Sequence, residues 1–182
     1  LDKASAQEVI DQITRLMRVT RPDVVVTFDP YGSYGHPDHI AISQFTTAAV
    51  VRSADASYQT DHDPHTVSKL YYGVPTDELL ASYQEVFGEL EMYIDGIKRF
   101  ATGWPEWAIT TRINTEAYWQ QVWDAVACHR TQLPGYESLK RLPEERQRAL
   151  WKAQTYYRVL SLVNGGRQIE SSLFDGLAMK GE

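Results

Sequence analysis

The chain has one cysteine among its 182 residues, Cys128. No internal disulfide can form and no cysteine-rich zinc cage can be built, so a reducing compartment fits and the cytoplasm is the expected location. No stretch approaches the roughly 20 consecutive apolar residues of a membrane span. The N-terminus also lacks the basic, apolar and small-residue order of a signal peptide. Blocks of Lys and Arg are missing and the formal net charge is −6, which argues against a surface that tracks nucleic-acid phosphates. Repeats, low-complexity tracts and linker-like stretches are absent too. That leaves one domain over residues 1–182, long enough to bury a sizeable core. The first residue is Leu1 rather than Met, and the opening residues already read as the middle of a domain.

What is present is an alternation of helical and strand patterns. From Ser5, the positions Val9, Ile10, Ile13, Leu16 and Met17 recur at helical spacing, until "RPD" stops them because Pro22 disfavours a helical conformation at Arg21. Val24 to Phe28 is β-branched without polar alternation, the pattern of a strand buried on both faces in a parallel sheet. "HPDHIAISQFTTAAVVRSA" opens a second helix with Pro37 at its first position, where a missing N–H costs nothing. Residues 55–66 form a polar, turn-rich loop. "VSKLYYGV" reads as a strand, 76–100 as a helix or helix pair, 107–113 as a strand and 115–128 as an amphipathic helix. After the loop "HRTQLPGYES", a charged helix begins near Pro143 and "TYYRVLSLV" is a strand closed by "NGGR". Helix, strand and helix in close succession place the chain in the α/β class.

The stretch "DPYGSYGHPDHIA", residues 29–41, concentrates the chemistry. If Pro37 is the first helical residue, His36 is the N-cap, Asp38 the second helical residue and His39 the third. The positive end of the helix dipole keeps a histidine neutral, the form that binds a metal, and stabilises the Asp38 carboxylate. Gly32 and Gly35 let the backbone turn sharply and approach a bound group, and Tyr31 and Tyr34 offer phenolic donors. A strand, a glycine loop and a helix start is also where open α/β sheets place ligands. The plain alternative is a turn at Asp29 and Pro30 followed by an ordinary helix start.

A catalytic zinc takes about three protein ligands plus water, and this stretch offers one or two. The remaining histidines are His62 and His65 in a polar loop without rigid support, and His129 at a helix end, as suited to a structural role as to a pocket. The residues by themselves do not complete a metal site.

"PDVVVTFDPYGSYGHPDHIA" resembles the second signature of the LmbE-like (PIG-L) zinc-dependent de-N-acetylases, and "AVACHRTQ" is similar to their later helix ending in His-x-Ser/Thr-Gln. The order of "SKLYYGV", "ITTRIN" and "YRVLSLVNGGR" agrees with it. The resemblance implies a Rossmann-like three-layer sandwich with a mostly parallel sheet. It implies Zn2+ with His39 as a ligand, His36 as the group facing the scissile amide, Asp38 as the residue that orients or tunes a histidine, and Tyr34 as a mobile donor near the carbonyl oxygen. A zinc-bound water attacking an acetamide, with a neighbouring donor for the tetrahedral intermediate, is sound chemistry for those groups. The family's first signature, an Ala-His-Pro-Asp-Asp-Glu-like segment with the other two ligands and the general base, has no match here. The resemblance therefore casts the chain as the N-terminally truncated, C-terminal portion of such an enzyme, carrying half of its site.

The expected substrate is a small N-acetylated amino sugar, N-acetylglucosamine in the family, or a related glycoconjugate. Two other readings stand beside it: another metal-dependent hydrolase such as a phosphoesterase, and a non-catalytic sugar-binding remnant whose cleft is lined by Trp104, Trp107 and Trp119. Specificity is expected in the loop 53–66 and around "GWPEW", since loops on a rigid scaffold carry it. The sequence is compatible with a monomer or a homo-oligomer.

Overall fold

A computed structural model describes residues 1–131 and 137–178, so Gln132 to Tyr136 of the loop "HRTQLPGYES" lie outside the described residues. Helix α1 (Ala6–Thr20) starts where Ser5 accepts the Glu8 amide, and ends at Arg21, which takes a left-handed conformation (φ 49°) just before Pro22. Strand β1 (Val24–Phe28) and helix α3 (Pro37–Ala54) follow as the sequence predicts, and the glycine loop between them contains a single turn, α2 (Gly32–Gly35). Strand β2 (Lys69–Gly73) pairs in parallel with β1, Val24 opposite Lys69 and Phe28 opposite Gly73. Helices α1 and α3 pack on one face of these strands. Met17, Ala49, Val50, Val67 and Leu70 meet there, with Ile10, Ile13 and Val25 against them.

The chain continues through α4 (Asp77–Phe87), β3 (Glu91–Ile94), β4 (Ile97–Phe100), β5 (Thr111–Asn114), α5 (Trp119–Ala127), α6 (Glu137–Lys140), α7 (Glu144–Trp151) and β6 (Ala153–Ser161). The main sheet has the order β1, β2, β6, β5. The α/β class is as expected. The sheet is mixed, with β1 and β2 parallel and β6 antiparallel to both β2 and β5. A second apolar cluster joins Trp119, Leu139, Leu150 and Trp151 to Leu79 and Tyr83.

Three local expectations are corrected. Strand β1 is not buried on both faces: Val26 and Phe28 are exposed, because β1 is an edge strand of the described sheet and the helices cover its other face. The helix expected over 76–100 stops at Phe87, and 91–100 is a hairpin turned by Asp95 (φ 52°) and Gly96 (φ 77°), the positive-φ pair that matches the twist of the strands. The strand expected over 107–113 is a short 3₁₀ turn at Glu106–Ala108 followed by β5.

The loop 55–66 is better supported than its polarity suggests. Buried Arg18, on α1, donates to the carbonyls of Ser53, Asp55, Tyr58 and His62 and to the Thr60 hydroxyl, so one guanidinium organises the segment. On the sheet face opposite α1 and α3, Lys69, Tyr71 and Thr111 all bond Glu170, and the segment 164–175 lies over them. Among the described residues no helix is long and apolar enough to cross a membrane.

Candidate active site

Because β1 and β2 are parallel, their carboxyl ends Phe28 and Gly73 lie side by side, and the loop 29–36 leaves the sheet at that edge. The loop begins at a fully buried carboxylate. Asp29 Oδ1 accepts the Ser33 amide at 2.8 Å, and Oδ2 accepts the Trp104 indole N–H at 2.7 Å. Ser33 has φ 65° and ψ −71°, a conformation that costs a non-glycine residue about 1–3 kcal/mol. Gly32 (φ 66°) is required by space as well as by backbone, since a Cβ there would stand 2.8 Å from Ile40 Cγ1 and 3.2 Å from His39 Cβ.

Helix α3 starts where the sequence places it. His36 is its N-cap, Pro37 its first residue, Asp38 the second and His39 the third. The Asp38 amide donates to His36 Nδ1 at 3.1 Å, so neutral His36 carries its proton on Nε2. His39 has the opposite tautomer: its Nδ1–H donates to the Gly32 carbonyl at 3.2 Å, which leaves a lone pair on Nε2. The His39 ring stacks on Phe28 with centroids 3.9 Å apart. Burial lowers its pKa below the usual 6.5, and the bond to Gly32 only partly opposes this.

The rings of His36 and His39 lie 4.9 Å apart, and Tyr34 presents its edge to both, at 5.9 Å and 5.1 Å. The structure thus brings together three of the four residues singled out in the sequence. Asp38 lies close enough for its charge to act on both imidazoles. The Asp38 carboxylate accepts the Asp2 amide at 2.9 Å. Asp38 also gives the histidine pair its backbone N–H.

The other histidines stand apart. His65 is buried and bonds the Pro22 carbonyl at 2.9 Å, while His62 and His129 are exposed. The three tryptophans do not form one cleft: Trp119 is in the core, Trp107 is 87% exposed, and only Trp104 reaches the candidate site. Beyond the carboxyl end of β2 lies a cleft of about 380 Å³ lined by Ser33, Pro75, Tyr83, Trp151, Gln154 and Tyr156, which touches the site loop through Ser33. Asp29 and Trp104 escaped the sequence reading as a pair, because nothing local links positions 75 residues apart.

Among the described residues no three His, Cys, Asp or Glu side chains group into a metal site. His39, with Nδ1 fixed by a carbonyl and Nε2 free to bind, has the form of a metal-ligating imidazole. It is one ligand where about three are needed, so the described residues alone do not make a zinc centre.

Residues 1–50 match the family profile described as PIG-L: GlcNAc-PI de-N-acetylase. A relative named 1D-myo-inositol 2-acetamido-2-deoxy-alpha-D-glucopyranoside deacetylase, from Rhodococcus jostii, is 37% identical over 66% of the chain and 42% of its own length. Proteins of the same name from Thermobifida fusca (33% identical, 72% of the chain, 46% of the relative) and, numbered 1, from Frankia casuarinae (26%, 98% and 61%) also match. The chain therefore spans less than half the length of the first two. Among solved structures, a conserved protein of Thermus thermophilus superimposes with a TM-score of 0.55 at 18% identity, covering 87% of this chain and 61% of that one. The 4-carboxy-2-hydroxymuconate hydratase GalB of Pseudomonas putida gives 0.54 at 14% identity, covering 90% and 62%. At such identities the likeness is one of fold.

Proposed function

Because the chain belongs to the PIG-L (LmbE-like) family, we propose that it carries part of the active site of a hydrolase. The reaction removes an N-acetyl group from an amino sugar, one joined to inositol or a related glycoconjugate. The observation that supports this best is the pair of opposite tautomers: His36 holds an N–H to give, and His39 a lone pair to bind with. Amide hydrolysis needs both kinds of group, a donor for the oxyanion or the departing amine and a ligand for an electrophile.

In this reading His36 Nε2–H faces the scissile amide. Tyr34, edge-on to both imidazoles, adds a phenolic donor at the same place. His39 Nε2 contributes one ligand to zinc, whose chemistry when bound is that of a Lewis acid toward the carbonyl and of an acidifier of water. The other ligands and the general base come from groups beyond the described residues. Asp38 orients and tunes the pair, its amide fixing the His36 tautomer and its charge acting on both rings.

The test is release of free amine from an N-acetylglucosaminyl inositol, with zinc content measured in parallel. We expect weak zinc binding by this chain, lost in His39→Ala, and slow hydrolysis that His36→Ala lowers while zinc binding is kept. Zinc held equally well by His39→Ala would overturn the ligand assignment. Tight, stoichiometric zinc with full hydrolysis by this chain alone would overturn the half-site reading. Sugar binding with no hydrolysis at all would favour the non-catalytic alternative.

A further inference from the structure

We propose that Asp29 and Trp104 are positioning residues that clamp the loop presenting Tyr34 and His36. What that loop is for rests on the reading above; the clamp itself is a matter of geometry. One short segment, 99–104, holds the loop from the side. The Thr102 amide donates to the Ser33 carbonyl at 3.0 Å, and the Trp104 indole N–H donates to Asp29 Oδ2 at 2.7 Å. The side chain of Arg99 lies over Gly35, where an added Cβ would stand 3.3 Å from its Cβ and Cδ.

The clamping segment is itself anchored. The Trp104 amide donates to the Pro75 carbonyl at 2.8 Å and its carbonyl accepts the Asp77 amide at 3.0 Å. Its ring lies 5.2 Å from that of Tyr157 on β6. Gly103 fits so closely that a Cβ would come within 2.9 Å of Asp77 Cα. The loop after β1 is thereby tied to the loop after β2 through a single indole, and the tie ends on a buried carboxylate.

Asp29 then passes the constraint on. Its two oxygens take one donor each, the indole N–H and the Ser33 amide, and Ser33 is the residue forced into a left-handed conformation immediately before Tyr34. Both polar groups of the Ser33 backbone are thus held, N–H by Asp29 and carbonyl by Thr102. A conformation that an L side chain avoids persists only where its surroundings over-determine it, and such over-determined turns are characteristic of sites. Here the turn sets the angle at which the Tyr34 ring meets the two imidazoles.

Three variants of the full chain separate this from a merely structural role. Trp104→Phe keeps an aromatic ring beside Tyr157 and removes only the N–H. Asp29→Asn leaves one acceptor oxygen facing two donors, so its NH₂ group opposes one of them. The double variant removes the indole donor and lets the new amide take the Ser33 N–H unopposed. Nuclear magnetic resonance reads the amide exchange of Ser33 and the ring resonances of Tyr34 and His36, with cooperative unfolding as the control for foldedness.

In Trp104→Phe we expect Ser33 exchange to quicken about fivefold, the factor set by losing roughly one hydrogen bond's net free energy, and the Tyr34 and His36 resonances to move. Asp29→Asn should move them further, and the double variant should return toward wild type. Unchanged exchange and ring resonances in a folded Trp104→Phe chain would refute the clamp, as would strictly additive effects in the double variant. If the resonances respond as expected but no variant, nor the wild type, releases amine, the clamp stands and the deacetylase reading alone falls.

Discussion

Replacing Glu170 by Gln removes the charge on which the second face of the sheet converges. The carboxylate is only 5% exposed and accepts from Lys69 Nζ at 2.5 Å, Asn164 Nδ2 at 2.6 Å, and the Tyr71 and Thr111 hydroxyls at 2.7 Å, with Arg158 at 3.0 Å. Burial pushes its pKa up, but the donated bonds outweigh burial and bring it from the ordinary 4.5 to about 2. Lys69 is fully buried, and without its counter-ion it becomes an uncompensated interior charge, a defect that costs about 3–5 kcal/mol. The acid dependence gives an independent check. A carboxyl with a depressed folded pKa contributes stability that is present above the unfolded value and lost as pH falls toward the folded one. From 4.5 and about 2 that contribution is about 3 kcal/mol at neutral pH, of which about 2 kcal/mol is gone at pH 3. Urea unfolding of both proteins at pH 7 and pH 3 should show the gap between them narrowing by about 2 kcal/mol. A gap that does not change with pH, or one under about 1 kcal/mol at pH 7, would mean that Glu170 is not the electrostatic centre of this face.

Gly32→Ala forces a Cβ to within 2.8 Å of Ile40 Cγ1 in a left-handed backbone, so we expect a loss of about 1–3 kcal/mol in thermal or urea unfolding, and weaker zinc uptake because the Gly32 carbonyl shifts under His39. His39 should titrate below 6.5 in a resonance-monitored pH series. With its folded pKa depressed by burial, its contribution to stability is present above 6.5 and declines as pH falls below it, a slope that His39→Phe should remove. Arg18→Met leaves several carbonyls of the 53–62 segment without their donor. It should cost roughly 2–4 kcal/mol and speed proteolytic cleavage within 55–66 while the helices are retained.

The parts legible in the sequence were those that local chemistry decides. Pro22 ends α1 because the residue before a proline avoids the helical region, and Arg21 does so by turning left-handed. Pro37 fixes the start of α3 and so the places of His36, Asp38 and His39. The helix expected over 76–100 failed because its apolar residues fit more than one period. Asp95-Gly96 was the stronger signal, a pair that accepts the positive φ of a tight hairpin turn. The β-branched run of β1 spoke for burial, but exposure depends on what lies beside a strand, and β1 has a single described neighbour. Least legible were polar contacts over long separations. Asp29 reads as a turn residue until Trp104 is seen on it, and Lys69 and Glu170 meet across 101 residues.

Asp38 meets the histidine pair through two groups, its carboxylate charge and its backbone N–H. The carboxylate charge acts on both rings, and at the second position of the helix the Asp38 N–H points at the N-cap side chain. The difference between the two imidazoles therefore comes from the backbone. The N-cap ring accepts from an amide that the helix leaves unpaired, and the ring three residues on donates to a carbonyl that the glycine loop brings underneath it. A His-x-x-His helix start without that loop would give two rings of one kind. The strained turn at 29–36 supplies the Gly32 carbonyl, and that leaves His36 with a proton on Nε2 and His39 with a lone pair there.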